Sequence, residues 1–181
     1  MSSLARVTSM SLDKEIVQDF VDESKSLIED LILLLESLEG QFGRVHELED
    51  YGNRIDRIMG GAKSLALMAD ATHPLHIVAD YTALCKAVGY KASQIKKNEK
   101  FFDICVALLL DATETLDQML GHMDKSGDDL KKSLSHTFLE RVRWVSSQFS
   151  DEFRGSVDAG KKQSQKMSQD DIDELMKKLG L

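Results

Sequence analysis

The stretch Glu99 to Leu120, EKFFDICVALLLDATETLDQML, decides the fold class. Its apolar residues Phe101, Ile104, Cys105, Leu108, Leu109, Ala112, Leu116 and Met119 recur at threes and fours, the mark of one buried helical face. The same period extends on both sides. A first helix over about Leu12 to Leu38 carries Val17, Phe20, Leu27, Leu31, Leu34 and Leu38, with Gly40 as its stop. A second, about Arg44 to Ala69, turns Val45, Leu48, Ile55, Met59, Ala62 and Ala66 inward. A third opens at Pro74, where a missing N–H does no harm, and carries Leu75, Val78, Leu84, Cys85 and Val88 to a stop at Gly89. A fifth runs from about Asp128 to Phe153 on Leu130, Leu134, Phe138, Val142, Val145, Phe149 and Phe153. The chain has one proline and little strand-like alternation, which predicts an all-α protein. Short connections make neighbouring helices antiparallel.

Composition narrows the function. A formal net charge of −8, with no Lys/Arg stripe, argues against nucleic-acid binding. No apolar run approaches the ~20 residues that cross a bilayer, so no membrane partner is expected. The opening Met1-Ser2-Ser3-Leu4-Ala5-Arg6 lacks the apolar core of a signal peptide, which predicts a cytoplasmic protein. Cys85 and Cys105 lie within apolar helical patterns and read as buried thiols in a reducing compartment.

From Gly155 to Met167 the sequence is polar, with little to bury, and reads as a flexible linker. Beyond it, Ser168 to Leu181, SQDDIDELMKKLGL, is helical by every local signal. Ile172, Leu175, Met176 and Leu179 form one stripe. Ser168 and Asp171 have capping-box spacing. Acids crowd the start, and Lys177 and Lys178 the end. Such a helix suits docking on a partner or on its own domain, and its tether favours the partner. The domain plan is an N-terminal extension over 1–11, a bundle over 12–154, the linker over 155–167 and a peptide over 168–181.

The tail resembles the C-terminal peptide of the CheZ family of chemotaxis phosphatases, which binds the response regulator CheY. It is also similar to the CheY-binding peptide of the flagellar switch protein FliM. The resemblance rests on Ser168-Gln169-Asp170, Ile172, Asp173, Glu174, Leu175 and Leu179-Gly180-Leu181. It implies a CheY-like regulator as partner, bound through Asp170, Ile172, Asp173, Leu175, Met176, Leu179 and Leu181.

A second resemblance concerns residues 12–122, which look like a CheA-type histidine-phosphotransfer (Hpt) domain. That family bears a motif of the form Arg-x-x-His-x-x-Lys-Gly. Here Arg57 and Lys63 occupy the flanks, Gly60 stands at the phosphoacceptor position and Ser64 replaces the last glycine. Glycine offers no nucleophile, so no phosphoryl group is expected there. The resemblance implies a regulator-docking face with Asn53, Asp56, Gly60, Lys63 and Ser64. It adds a CheA-type kinase as a further candidate partner, and a homodimer is a third. The interior pair Gly60-Gly61 also suits close approach of another helix.

CheZ-like phosphatases place a side-chain amide that orients the water attacking the aspartyl phosphate, with a carboxylate engaging the regulator. The family pairs an acid and a Gln four apart on one helix. Glu114 and Gln118 fit that spacing, and Glu49 and Asn53 offer a similar pair. A solvated helix face would show the same spacing. The Thr-Gly that precedes the family's Gln is absent. The chain itself needs no cofactor on this reading; the magnesium belongs to the regulator. A non-catalytic adaptor that sequesters or localises CheY is the alternative. No metal spacing, phosphate-cradling loop or Ser-His-acid arrangement is legible. His73 and His76 read as surface or capping residues, and Trp144 as core or rim.

Overall fold

The computed structural model describes residues 12–152 and 168–180. It is all-α: the described residues form helices α1 (Lys14–Leu38), α2 (Leu48–Ala66), α3 (Leu75–Ala92), α4 (Glu99–Leu120), α5 (Gly127–Ser133), α6 (His136–Glu152) and α7 (Gln169–Lys178), with a 3-10 helix over Phe42–Glu47. The first four make a ring in which α1 touches α2 and α4, and α3 touches α2 and α4. Helices α2 and α4 are therefore diagonal. Their polar link crosses the core, Tyr51 Oη lying 3.1 Å from Thr113 Oγ1. Tyr81 also crosses to α4, donating to the Ala112 carbonyl at 2.8 Å.

Helix α1 starts where the Asp13 carboxylate accepts the Glu15 N–H at 2.9 Å. It stops before Gly40, whose φ of +66° suits glycine and whose N–H donates to Asp103 on α4 at 3.3 Å. The buried residues of α1 are Val21, Ser24, Ile28, Leu31, Leu35 and Leu38. This is a strict three-four seam, shifted from the expected stripe: Val17, Phe20, Leu27 and Leu34 only flank it. Polar Ser24 sits in the seam and hid it from a reading that followed apolar residues alone.

Other boundaries also differ from the sequence reading. The second helix begins with the 3-10 turn, held by Arg44 bonded to Glu47 at 2.7 Å and to the Ser37 carbonyl at 2.9 Å. Helix α3 does not end at Gly89 but runs on to Ala92. The expected fifth helix is two helices, because Leu134 adopts an extended ψ of 125° between α5 and α6. Ile104 is exposed at 41%, outside the α4 core stripe. The extension 1–11, the linker 155–167, Phe153 and Leu181 lie outside the described residues.

Helix α5 packs on α3, α6 on α4, and α7 on α3 and α6. Among the described residues no helix is long and apolar enough to cross a membrane. Both thiols are buried, and burial pushes Cys85 up to about 12.

Candidate functional site

Helix α4 carries Glu114 and Gln118 one turn apart, both exposed. The opposite side of α4 holds Thr113, Leu116 and Leu120 in the core, so the helical period directs the acid and the amide outward. They line an open cleft of about 290 Å³ between α4 and the start of α6. Asp111 and Thr115 complete the α4 wall; Ser135, Thr137, Phe138 and Arg141 form the other. Arg141 pairs with Asp111 across the cleft. Among the described residues the Gln118 side-chain amide makes no hydrogen bond, while its backbone carbonyl meets His122 Nδ1 at 2.7 Å. An amide held on a helix with its hydrogen-bonding groups open can position a water or a phosphoryl oxygen.

Asn53 is the other candidate amide, and its setting differs. It is exposed on α2, but its side-chain oxygen accepts a hydrogen bond from the Tyr90 hydroxyl. Burial, then the nearby Asp56 and Glu49 carboxylates, raise the Tyr90 pKa, so the phenol keeps the proton that it donates. Asp56 is likewise engaged, at 2.6 Å from the Lys86 ammonium, whose side chain is only 11% exposed. The Lys86 ammonium also lies 5.8 Å from the centre of the Tyr90 ring. Along the same helix Gly60, Lys63 and Ser64 are exposed.

The glycine pair divides in role. A Cβ on Gly61 would lie 2.9 Å from the Phe20 ring of α1, a helix-packing contact. A Cβ on Gly60 would meet nothing within 4 Å. Only Gly61 is therefore explained by close approach within the bundle.

The structure groups Asn53, Asp56, Gly60 and Lys63 on α2, and Glu114 and Gln118 on α4. Because α2 and α4 are diagonal in the ring, these two groups do not share one surface. Asp111, Ser135, Thr137 and Arg141 were not read from sequence as site residues. Asp111 could have been found, since it precedes Glu114 by three. Arg141 could not, because only tertiary packing brings α6 to α4.

The tail forms α7 as its local signals require. Ser168 Oγ accepts the Asp171 N–H at 3.2 Å, and the Asp171 carboxylate accepts the Ser168 N–H at 2.8 Å, a complete capping box. These bonds, the Ser168 side chain first, hold the Asp171 carboxyl below its ordinary pKa. Gly180 follows the helix with φ +101°. The stripe Ile172, Leu175, Met176 and Leu179 is buried against the bundle itself. Asp170, Asp173 and Glu174 face solvent. His73 Nδ1 accepts the Leu75 N–H at 3.2 Å at the start of α3. Trp144 is a rim residue, 48% exposed and edge-on to Phe101. Among the described residues, no group of three or more His, Cys, Asp or Glu is arranged to hold a metal.

Compared with known proteins, the chain matches no protein-family model, no curated protein and no solved structure.

Proposed function

We propose that this chain is a chemotaxis protein that binds a phosphorylated CheY-like response regulator through the Ser168–Leu181 segment and promotes its dephosphorylation. The observation that carries the catalytic part is the open Gln118 amide one turn after Glu114 on the wall of a polar cleft. In this reading Gln118 orients the water that attacks the aspartyl phosphate, and Glu114 engages the regulator. The P–O bond to the regulator's aspartate then breaks, releasing inorganic phosphate and a free carboxylate. Magnesium is supplied by the regulator. Asn53 ranks second, because Tyr90 already occupies its oxygen.

The binding part rests on the tail pattern, with its capping box and its single apolar stripe. The four-helix ring fits an Hpt-like scaffold in which Gly60 replaces the phosphoacceptor. That substitution, on an exposed face with open space beside it, also favours a second reading: a non-catalytic adaptor that sequesters or localises the regulator.

The half-life of phosphorylated regulator with and without the protein tests the proposal. A shortened half-life that Gln118→Ala restores supports the phosphatase. An unchanged half-life in the presence of demonstrated binding rejects catalysis and leaves the adaptor.

A further inference from the structure

Four of the apolar side chains that the proposed function assigns to the regulator are already covered. Ile172, Leu175, Met176 and Leu179 are 0–7% exposed, and α7 lies on α3 and α6. The remaining described residues of α7 are exposed, apart from partly covered Gln169. A helix of this length has one apolar face, so it can hold the bundle or a partner but not both.

Helix α3 is one of the two that receive α7, and helical spacing points to one stripe of it as the seat. Asp80, Ala83, Leu84 and Ala87 follow i, i+3, i+4, i+7 spacing, on the side of α3 away from Lys86, which reaches α2, and Tyr81, which reaches α4. Ala83, Leu84 and Ala87 are buried. Two small residues leave room for a helix to lie close. At the C-terminal end of α7, Lys178 is the strongest cationic influence on half-buried Asp80, ahead of Lys63, His76 and Lys131.

The docked state is matched in apolar surface but not in polar bonding. Gln169 Oε1 on α7 is buried without a hydrogen-bond partner among the described residues. Orphaned polar atoms weaken the state that buries them. A contact of this kind can be exchanged for a better one.

We infer that α7 is an autoinhibitory latch: docked on α3 and α6, it withholds from the regulator the four apolar side chains Ile172, Leu175, Met176 and Leu179 that the binding needs. This inference rests on the proposed function and assigns its regulation. The apparent affinity of the full chain is then the affinity of the free tail reduced by the fraction undocked. Anything that loosens the α3 seat raises regulator binding without touching the tail.

The test titrates a beryllofluoride-activated CheY-like regulator against three molecules: the synthetic peptide 168–181, the full chain, and the full chain carrying Asp80→Lys. The substitution sets a cation among Lys178, Lys63, His76 and Lys131, while the α7 sequence stays native. The latch requires the full chain to bind at least about tenfold more weakly than the peptide. Asp80→Lys should recover most of that loss and speed hydrogen exchange at the α7 amides. Equal affinity of peptide and full chain overturns the latch and leaves the proposed function standing. Faster α7 exchange in Asp80→Lys without a gain in affinity overturns it too. A peptide that fails to bind removes the proposed function, and the latch with it.

Discussion

Tyr51 and Gly89 meet where α2 crosses α3, and a Cβ on Gly89 would lie 2.6 Å from Tyr51 Cδ1. Tyr51 cannot withdraw, being fully buried with its hydroxyl held at Thr113. Gly52 belongs to the same crossing, where a Cβ would come within 3.0 Å of the Tyr90 ring. The α2–α3 contact, the most extensive in the bundle, is thus built on close backbone approach at two glycines. It also sets the positions of Tyr90, Asn53, Lys86 and Asp56.

Two alanine substitutions should act in opposite directions. Gly89→Ala overpacks the crossing and should cost ~1–3 kcal/mol. Gly60→Ala places a methyl in open space within a helix and should add up to ~1 kcal/mol. Urea denaturation of both variants checks the pair. A neutral Gly89→Ala would contradict the crossing described for α2 and α3.

Removing the apolar stripe of the tail should abolish its recognition. Leu175→Ala with Leu179→Ala removes up to ~1.5–3 kcal/mol of burial per side chain. In the isolated peptide this should weaken regulator binding by a few kcal/mol, read by calorimetric titration. Indistinguishable affinities for the native and doubly substituted peptides would sink the recognition reading.

The pH dependence has two windows of opposite sign. Asp171 titrates below its ordinary value of about 4 because Ser168 holds its charged form. Its stabilisation is present above that value and is lost as pH falls through the lowered pKa. Asp80 is raised, chiefly by burial. Its charged form penalises the fold, so stability should decline as pH rises from the ordinary value through the raised one. Urea midpoints across acid pH should therefore lose the lower limb in Asp171→Asn and the upper limb in Asp80→Asn. A native profile in both variants would remove this assignment.

The proposed catalysis should depend on α4 more than on α2. Gln118→Ala should slow hydrolysis of phosphorylated regulator by ~100-fold or more, with affinity nearly unchanged, since the proposed function gives most of the binding to the tail. Asn53→Ala should have a smaller effect, its amide being engaged by Tyr90. Full activity in Gln118→Ala would rule that residue out.

Incubation with an active CheA-type kinase and ATP should yield no stable phosphohistidine, because on the Hpt-like reading proposed above the acceptor position is held by Gly60. Mass spectrometry that finds acid-labile phosphate on any histidine would refute this.

Much of the fold was legible because helix signals are local. The core of α4 from Phe101 to Met119, the caps of α7 and the stop at Gly40 follow from spacing and residue type within one or two turns. The errors were also local in origin. Ser24 broke the apolar pattern of α1, and Gly89 has the composition of a stop but serves as a crossing point. Glu114 and Gln118 became candidates by their spacing. That the Gln118 amide is open while Asn53 is engaged could not be read, since Tyr90 lies 37 residues from Asn53.

The sequence by itself determined that this chain is helical, that its tail is a capped amphipathic helix, and that position 60 carries no nucleophile. Each follows from short-range backbone geometry or from the chemistry of one residue. Tertiary structure alone decided that Gly61 and Gly89 are contacts while Gly60 is open, that the α2 and α4 candidates lie on diagonal helices, and that the α7 stripe is buried on α3 and α6. An apolar stripe specifies only that it will be covered. What covers it depends on shape and charge brought together from distant parts of the chain, here helices α3 and α6.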